Sequence, residues 1–165
     1  MEIRSIGIIG AGTMGNGIAQ VAAGAGFDVI LLDINDAALE KGLAALSKSL
    51  DRLIKKESIT SEQKAQTLAR IKTTTLYTDL ASVSLVIEAA TENQAIKEKI
   101  LAQVDQVVSK ETIIASNTSS ISITHLGSLN SRPERFIGIH FFNPPPLMAL
   151  LEVIMGKETS PETLK

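Results

Sequence analysis

The stretch Ser5-Ile6-Gly7-Ile8-Ile9-Gly10-Ala11-Gly12-Thr13-Met14-Gly15 decides the fold of this chain. It begins with a short apolar run, which is typical of a buried strand. Gly10, Gly12 and Gly15 then follow the spacing G-x-G-x-x-G, and residues 18–23 continue in a pattern typical of a helix. A glycine-rich turn between a strand and a helix is the context in which this spacing predicts a dinucleotide site.

Each residue of the turn has a physical part in such a site. Gly10 permits a tight turn, Gly12 lets the backbone approach a pyrophosphate, and Gly15 lets the helix pack closely on the strand. Thr13 and Met14 open the helix, where unpaired N–H groups and a partial positive charge attract phosphate. The sequence therefore predicts that these five residues bind the cofactor.

An acidic residue, Asp33, ends the second apolar run, residues 27–32. A carboxylate about 20 residues beyond the glycine turn is placed to bond the hydroxyls of a ribose. It would also repel the additional phosphate of NADP, and no arginine or lysine follows it nearby, so the sequence predicts NAD as the cofactor. The alternative is that the glycines only join strand to helix and that Asp33 only caps a helix.

The rest of the chain alternates between strand-like and helix-like patterns. Asp36 is expected to cap a long helix that ends near Lys56, and Thr60-Ser61-Glu62-Gln63 begins a second helix that ends near Ile71. Together they predict a helical hairpin over residues 36–71 that projects from the sheet. Further strands are expected at 73–77, 85–88, 112–116, 136–140 and 150–154, with helices at 94–108 and 123–129. This alternation predicts an α/β fold of Rossmann type, with a doubly wound and mainly parallel sheet.

Composition narrows the functions that are open to the chain. Its 165 residues, 44% hydrophobic and 21% charged, suit one compact domain spanning residues 1–165. A net charge of -2 argues against nucleic acid or an anionic membrane as a partner. The absence of cysteine excludes disulfides and a thiolate nucleophile, and the presence of only two histidines argues against a metal site. No apolar run could span a bilayer and no signal segment precedes the first strand, so a cytoplasmic location is expected.

Four stretches, in order along the chain, resemble the L-3-hydroxyacyl-CoA dehydrogenase family. They are the glycine turn, Glu88-Ala89-Ala90-Thr91-Glu92-Asn93, Ser116-Asn117-Thr118-Ser119-Ser120 and His140-Phe141-Phe142-Asn143-Pro144. The last two are far more specific to the family than the glycine spacing. The resemblance implies a reversible, NAD-dependent oxidation of (S)-3-hydroxyacyl-CoA to 3-oxoacyl-CoA, and we expect short acyl chains such as hydroxybutyryl.

The resemblance also implies three residues that act on the substrate. His140 matches the family's general base, a task that suits a side chain titrating near neutral pH. Glu152 matches the acid that orients this histidine, and Ser119 matches the serine that bonds the substrate oxygen near the nicotinamide. The alternatives are that His140 is a structural histidine in a buried strand, and that residues 117–120 form a polar turn in which Ser120 caps a helix.

Further positions match contacts to the cofactor and to the substrate. The resemblance implies that Glu92, Lys97 and Asn143 contact NAD, together with Ser119. It implies that Ser49 and Lys56, on the long helix, contact the CoA moiety, whose phosphates suit a lysine. The alternatives are a solvated helix face for Glu92 and Lys97, a simple turn at Asn143 and an ordinary basic helix end at Lys56.

The resemblance extends beyond the residues of this chain. Ser160-Pro161-Glu162 is typical of a helix start, and relatives continue into a helical domain that supplies an active-site asparagine and most of a homodimer interface. We therefore expect residues 1–165 to bind NAD but to turn over weakly or not at all without that domain. Ala149 departs from many relatives, which carry a lysine there, so substrate preference is expected to differ.

Two other functions remain open at the level of sequence. The first is an NAD-dependent dehydrogenase of a hydroxy acid without CoA, such as gulonate, in which Lys56 has no ligand to contact. The second is a dinucleotide-binding module without catalytic activity, because fold alone does not fix function.

Overall fold

The computed structural model describes residues 2–165, which form one seven-stranded sheet with helices on both faces. The strands are β1 (Ser5–Ile9), β2 (Asp28–Leu32), β3 (Ile71–Thr74), β4 (Leu85–Glu88), β5 (Ile113–Ser116), β6 (Phe136–Phe141) and β7 (Leu151–Met155). The α-helices are α1 (Thr13–Gly24), α2 (Asp36–Lys55), α3 (Ser61–Ala69), α4 (Gln94–Val107), α5 (Ile123–Ser128) and α6 (Pro161–Leu164). Short 3₁₀ turns cover Tyr77–Leu80 and Pro133–Arg135.

The sheet has the strand order β3-β2-β1-β4-β5-β6-β7. The first six strands run parallel, and β7 pairs antiparallel with β6. This order is the doubly wound arrangement of the Rossmann fold, so the fold class predicted from the sequence is confirmed. Connections leave β1 and β4 toward opposite faces of the sheet, and the crevice at their carboxyl ends is where such sheets bind ligands.

The apolar strands are buried on both faces of the sheet. In β1, Ile6 and Ile8 pack in a cluster with α1 and α2, whereas Ile9 packs in a second cluster with α4 and α5. Strand β4 alternates in the same way, with Leu85 and Ile87 on the first side and Val86 on the second. Burial on both faces explains why these strands appear in the sequence as uninterrupted apolar runs.

The predicted helical hairpin consists of α2 and α3, and it packs along α1 instead of projecting from the sheet. Leu46 and Leu50 of α2 are 0% and 3% exposed in the cluster that also contains α1. The leucines at helical spacing therefore pack the hairpin against α1. In residues 2–165 no helix, α2 included, has both the length and the apolar character needed to cross a membrane.

The helix caps agree with the sequence in one place and differ in another. Thr60 and Gln63 form the predicted capping box at the start of α3. Helix α2 is capped by Asn35, whose side chain accepts a hydrogen bond from the N–H of Ala38 at 2.8 Å, and not by Asp36. Asn35 is the residue with extended backbone, which a capping residue requires, so Asp36 becomes the first residue of the helix.

Strand β3 lies earlier in the chain than the sequence predicts. It covers Ile71–Thr74 and pairs with β2, whereas the expected strand at 73–77 ends in a 3₁₀ turn. Leu80, within that turn, is fully buried, and the hydroxyl of Thr74 donates to the carboxylate of Asp79. Burial of Leu80 thus ends the strand that the β-branched residues alone would extend.

Asp105, near the end of α4, fixes the segment that leads into β6. Its carboxylate accepts hydrogen bonds from the N–H and the hydroxyl of Ser131, both at 2.9 Å, and from Arg132 at 3.1 Å. Burial raises the pKa of Asp105, but the hydrogen bonds from Ser131 and the ion pair with Arg132 outweigh it, so the pKa lies below its usual value. The folded protein therefore prefers the charged carboxylate.

The Asp105→Asn substitution is expected to lower the free energy of unfolding at neutral pH by about 1–2 kcal/mol. Because the folded pKa is depressed, this stability is present above the unfolded pKa and is lost as the pH falls through the folded pKa. Urea unfolding from about pH 7 to about pH 3 should show the wild type and the variant converging in acid. The exposed Asp51, paired with Lys64, is the control, and Asp51→Asn should cost less than about 0.5 kcal/mol. Equal losses at every pH would contradict this account.

Candidate dinucleotide and active site

The glycine turn lies at the carboxyl end of β1, and the fold itself requires two of its glycines. Gly10 has a φ of +100°, and a Cβ there would lie 2.6 Å from the Cα of Ala90. A Cβ on Gly15 would fall on the carbonyl oxygen of Gly10. These positions confirm the tight turn and the close helix-to-strand packing that the sequence predicts.

Gly12 is different, because no intramolecular contact explains its missing side chain. Its backbone is extended, with a φ of -66°, and a Cβ there would meet no heavy atom within 4 Å. The space beside it is open to the crevice. A glycine at this point is suited to a ligand that approaches the backbone closely, as a pyrophosphate does.

The N-terminus of α1 supports the same conclusion. Helices α2, α3 and α4 are capped by the side chains of Asn35, Thr60 and Asn93. Helix α1 begins directly after Gly12, which provides no side-chain cap. The first N–H groups of the helix, which belong to Thr13 and Met14, therefore lack the acceptor that the other helices carry and are suited to a phosphate.

Asp33 lies beside the turn at the end of β2. Its carboxylate accepts hydrogen bonds from the N–H of Ala11 and of Ile34, both at 2.6 Å, so it braces the turn directly. Asp33 lines a pocket of about 510 Å³ together with the turn and the first part of α2. Lys41, which is distant from Asp33 in the sequence, lines the same pocket. Two turns of helix bring this lysine back to the site.

A second pocket continues from the first across the turn. Both are lined by Gly12, Thr13, Ala90 and Thr91, and the second reaches Met14, Glu92, Lys97 and Asn117. The two pockets form a continuous track, which we call the dinucleotide track. It runs from Asp33 over the bare backbone of the turn to the carboxyl ends of β4 and β5.

Lys97 is buried at the end of the dinucleotide track. It is 1% exposed, and its Nζ lies 2.5 Å from the carboxylate of Glu88 and 3.3 Å from the hydroxyl of Ser116. The alternative of a solvated helix face is therefore wrong for Lys97. Glu88 was not among the residues singled out in the sequence, although a carboxylate that ends an apolar strand was a usable signal.

Glu92 binds the loop that carries Ser119. One carboxylate oxygen accepts from the hydroxyl of Thr118 at 2.8 Å, and the other accepts from the N–H of Ser119 at 3.2 Å. The cap of α5 is Ser122, whose hydroxyl accepts from the N–H of His125, so the expectation of a cap at Ser120 is wrong. Thr118, which accepts from the two N–H groups after Ser119, shapes the turn instead.

His140 and Glu152 are direct neighbours across β6 and β7. The Nδ1 of His140 lies 2.8 Å from the carboxylate of Glu152, and the ring of Phe142 lies 4.7 Å from the imidazole, centroid to centroid. The imidazole is 18% exposed and the carboxylate 50%. A carboxylate at Nδ1 holds the proton there, which leaves Nε2 as the free base.

The segment after His140 packs on α1 and is joined to the dinucleotide track by one hydrogen bond. The side chain of Asn117, for which the sequence predicted no role, accepts a hydrogen bond from the N–H of Phe141 at 2.8 Å. Asn143 is exposed and begins a turn in which the carbonyl of Pro144 accepts from two later N–H groups. Pro145 is buried against Gly17 of α1, where a Cβ would come within 2.8 Å of its ring.

Ser49 lies on α2, and Lys56, the residue directly after the helix, continues the same face. They are two helical turns apart, and Gly42 lies two turns before Ser49 on the same face. A Cβ on Gly42 would lie 2.5 Å from the carbonyl oxygen of Ala11, so this face begins in contact with the glycine turn. No local pattern singled out Gly42, because its need for a bare backbone arises from a neighbour distant in sequence.

The fold and the site define a dinucleotide-binding domain of Rossmann type. Within residues 2–165, no three Asp, Glu or His side chains gather as ligands for a metal ion. Residues 5–165 match the family described as 3-hydroxyacyl-CoA dehydrogenase, NAD binding domain. The chain belongs to this family, and it is an NAD-binding domain.

Similar proteins agree with that assignment. A crystal structure of (S)-3-hydroxybutyryl-CoA dehydrogenase from Ralstonia eutropha matches this structure with a TM-score of 0.97. The two sequences are 59% identical, and the match covers 98% of this chain and 57% of that one. It is 49% identical to 3-hydroxybutyryl-CoA dehydrogenase of Bradyrhizobium diazoefficiens over 99% of this chain and 56% of that protein. It is 42% identical to the fatty acid oxidation complex subunit alpha of a Psychrobacter species, covering 99% of this chain and 23% of that protein. The chain thus spans about half the length, or less, of these relatives.

Alanine at Gly12 and at Gly15 should separate cofactor binding from folding. Gly12→Ala should weaken NADH binding at least about tenfold, because a methyl group would occupy the approach of the pyrophosphate. The same substitution should lower the free energy of unfolding by about 1 kcal/mol or less, because the added methyl group at this N-cap position meets no other atom of the protein. Gly15→Ala should destabilise the fold by about 2–3 kcal/mol, because its methyl group collides with backbone. Calorimetric titration and thermal unfolding measure the two effects, and full NADH affinity in Gly12→Ala would contradict the assignment.

Proposed function

We propose that this chain serves the reversible, NAD-dependent oxidation of (S)-3-hydroxyacyl-CoA to 3-oxoacyl-CoA, with short acyl chains such as hydroxybutyryl. The observation that carries the proposal is the His140–Glu152 pair, which is linked to the end of the dinucleotide track by the hydrogen bond between Phe141 and Asn117. The names of the similar proteins support the substrate class. The likeness to a subunit of a fatty acid oxidation complex supports a place in fatty acid metabolism.

His140 takes the proton in this reaction. The cofactor, when bound, accepts the hydride in one direction and donates it in the other. Loss of hydride from a secondary alcohol leaves a carbonyl only if the hydroxyl proton also departs, and Nε2 of His140 receives it. Glu152 keeps the other ring nitrogen protonated, orients the ring and stabilises the imidazolium that forms.

Ser119 positions the substrate oxygen, and Glu92 positions Ser119. Both oxygens of Glu92 bind the Thr118–Ser119 segment, so the loop has a defined place relative to the dinucleotide track. A hydroxyl held in this way lowers the barrier mainly by orienting the alcohol toward His140 and the cofactor. Glu92 therefore acts through Ser119 as well as lining the track.

The CoA moiety of the substrate follows the face of α2 that begins at the glycine turn and becomes exposed toward the end of the helix. Gly42, Ser49 and Lys56 lie at intervals of two turns, so this face extends roughly 21 Å from the glycine turn. The lysine at its far end suits a phosphate of CoA. Asp33, at the near end of the dinucleotide track, favours the unphosphorylated ribose of NAD.

A longer, homodimeric protein in the cytoplasm is the form in which we expect full activity. Strand β7 supports this proposal, because its apolar side chains are exposed at the edge of the sheet, with Leu151 at 44% and Val153 at 49%. An exposed apolar edge strand is a surface that proteins normally cover. The further domain of the relatives would provide that cover.

The direct test measures NADH binding by the chain and then NADH oxidation with acetoacetyl-CoA. The chain alone should bind NADH with little turnover. A chimera, in which it replaces the matching part of the Ralstonia eutropha enzyme, should be active. In the chimera, His140→Asn should lower kcat about 10³-fold or more and Glu152→Gln about 10–100-fold, because one removes the base and the other only its orientation. An active His140→Asn chimera would overturn the assignment of the base.

In the chimera, the Lys56→Ala variant tests whether the substrate carries CoA. We expect KM for acetoacetyl-CoA to rise about 5–10-fold with kcat nearly unchanged, since the lysine contacts a part of the substrate that does not react. The neighbouring Lys55→Ala, at the same exposed helix end, is the matched control and should change KM less than twofold. Equal effects of the two variants would contradict a specific contact at Lys56, and an unchanged KM in Lys56→Ala would favour a hydroxy acid without CoA as the substrate.

A further inference from the structure

A buried group of charges lies beneath the far end of the dinucleotide track. We call Glu88, Lys97 and Ser116 the buried triad. All three are at most 1% exposed, and one oxygen of Glu88 accepts from Lys97 at 2.5 Å and from Ser116 at 2.9 Å. The other oxygen accepts from the N–H of Ala90 at 2.9 Å. Both oxygens of Glu88 are thus bonded, the ammonium group of Lys97 has two protein acceptors for its three N–H donors, and the triad carries no net charge.

The position of the triad identifies the part of the cofactor that it meets. Asp33 lies at the ribose-selecting end of the track, so the adenosine half lies there. Lys97 lines the opposite end with Met14 and Asn117, and Asn117 binds the residue that follows His140. The nicotinamide half, which must meet the substrate beside His140, therefore lies next to Lys97.

We propose that Glu88 balances the charge of Lys97 so that the site can bind both the oxidised and the reduced cofactor. The nicotinamide ring is cationic in NAD⁺ and neutral in NADH. A lysine alone at this end would repel the oxidised ring and leave the reduced ring almost unaffected. Neutralisation by Glu88 removes this bias while the lysine remains available as a hydrogen-bond donor to the cofactor. This inference rests on the proposed function, because it uses the placement of His140.

Glu88 is a positioning residue in this account, since it acts on the cofactor through Lys97. Strands β4 and β5 place Glu88 directly opposite Ser116, and the bond to Ala90 fixes its second oxygen. The carboxylate therefore cannot rotate away without breaking bonds to three partners. Its charge is delivered to the ammonium group at a fixed distance, in surroundings where water screens little.

The test compares dissociation constants for NAD⁺ and NADH, measured by calorimetry on the 165-residue chain. Glu88→Gln should raise the ratio of Kd for NAD⁺ to Kd for NADH about tenfold, the order expected for one uncompensated charge several ångströms away. The double variant Glu88→Gln with Lys97→Met, which is again neutral, should return the ratio to within about threefold of the wild type. Lys97→Met alone should move the ratio in the opposite direction, because the carboxylate then attracts the cationic ring.

The outcomes separate this inference from a purely structural role. A structural role would weaken both forms of the cofactor equally, so an unchanged ratio in Glu88→Gln would overturn the proposal. If that variant does not fold, as judged by its thermal transition, an unchanged ratio in Lys97→Met would overturn it in the same way. Wild-type chain that binds neither form would overturn the proposed function as well, whereas wild-type binding with unaltered ratios in the variants would overturn the charge balance alone.

Discussion

The contact between helix α1 and the carbonyl oxygen of Gly10 is the constraint on which the site depends. Because Gly15 has no side chain, the first turn of the helix lies directly on the end of β1. The helix then begins directly after Gly12, with its N-terminal N–H groups open to the crevice. Any side chain at Gly15 would move the helix away from the strand. The glycine turn, which lies in the middle of the dinucleotide track, would then be displaced.

Three carboxylates stabilise the surroundings of this turn, each at or just beyond the carboxyl end of a parallel strand. Asp33 binds the N–H of Ala11, Glu88 binds the buried Lys97, and Glu92 binds the loop of Ser119. Parallel strands bring their carboxyl ends to one edge of the sheet, so residues distant in the sequence meet there. The same carboxylates that hold the protein together therefore also set the charge of the site.

The His140–Glu152 pair depends on the one antiparallel pairing in the described sheet. Strand β7 returns along β6, and this register places two residues that are 12 apart directly opposite each other. A parallel β7 would need a long crossover connection and could not bring them together over so short a distance. The resemblance to a family identified both residues in the sequence, but only the register explains how the carboxylate reaches Nδ1.

The sequence by itself determined the features that short local patterns specify. These are the buried strands, the glycine turn and the capping box of Thr60 and Gln63. Each of these depends on residues within a few positions of one another. Only the tertiary structure decided that Lys97 is buried against Glu88, that Lys41 shares a pocket with Asp33, and that the hairpin lies against α1. These features arise where elements far apart in the chain pack together, and a periodicity of 2 or 3.6 residues specifies which face of an element is apolar without specifying its neighbour.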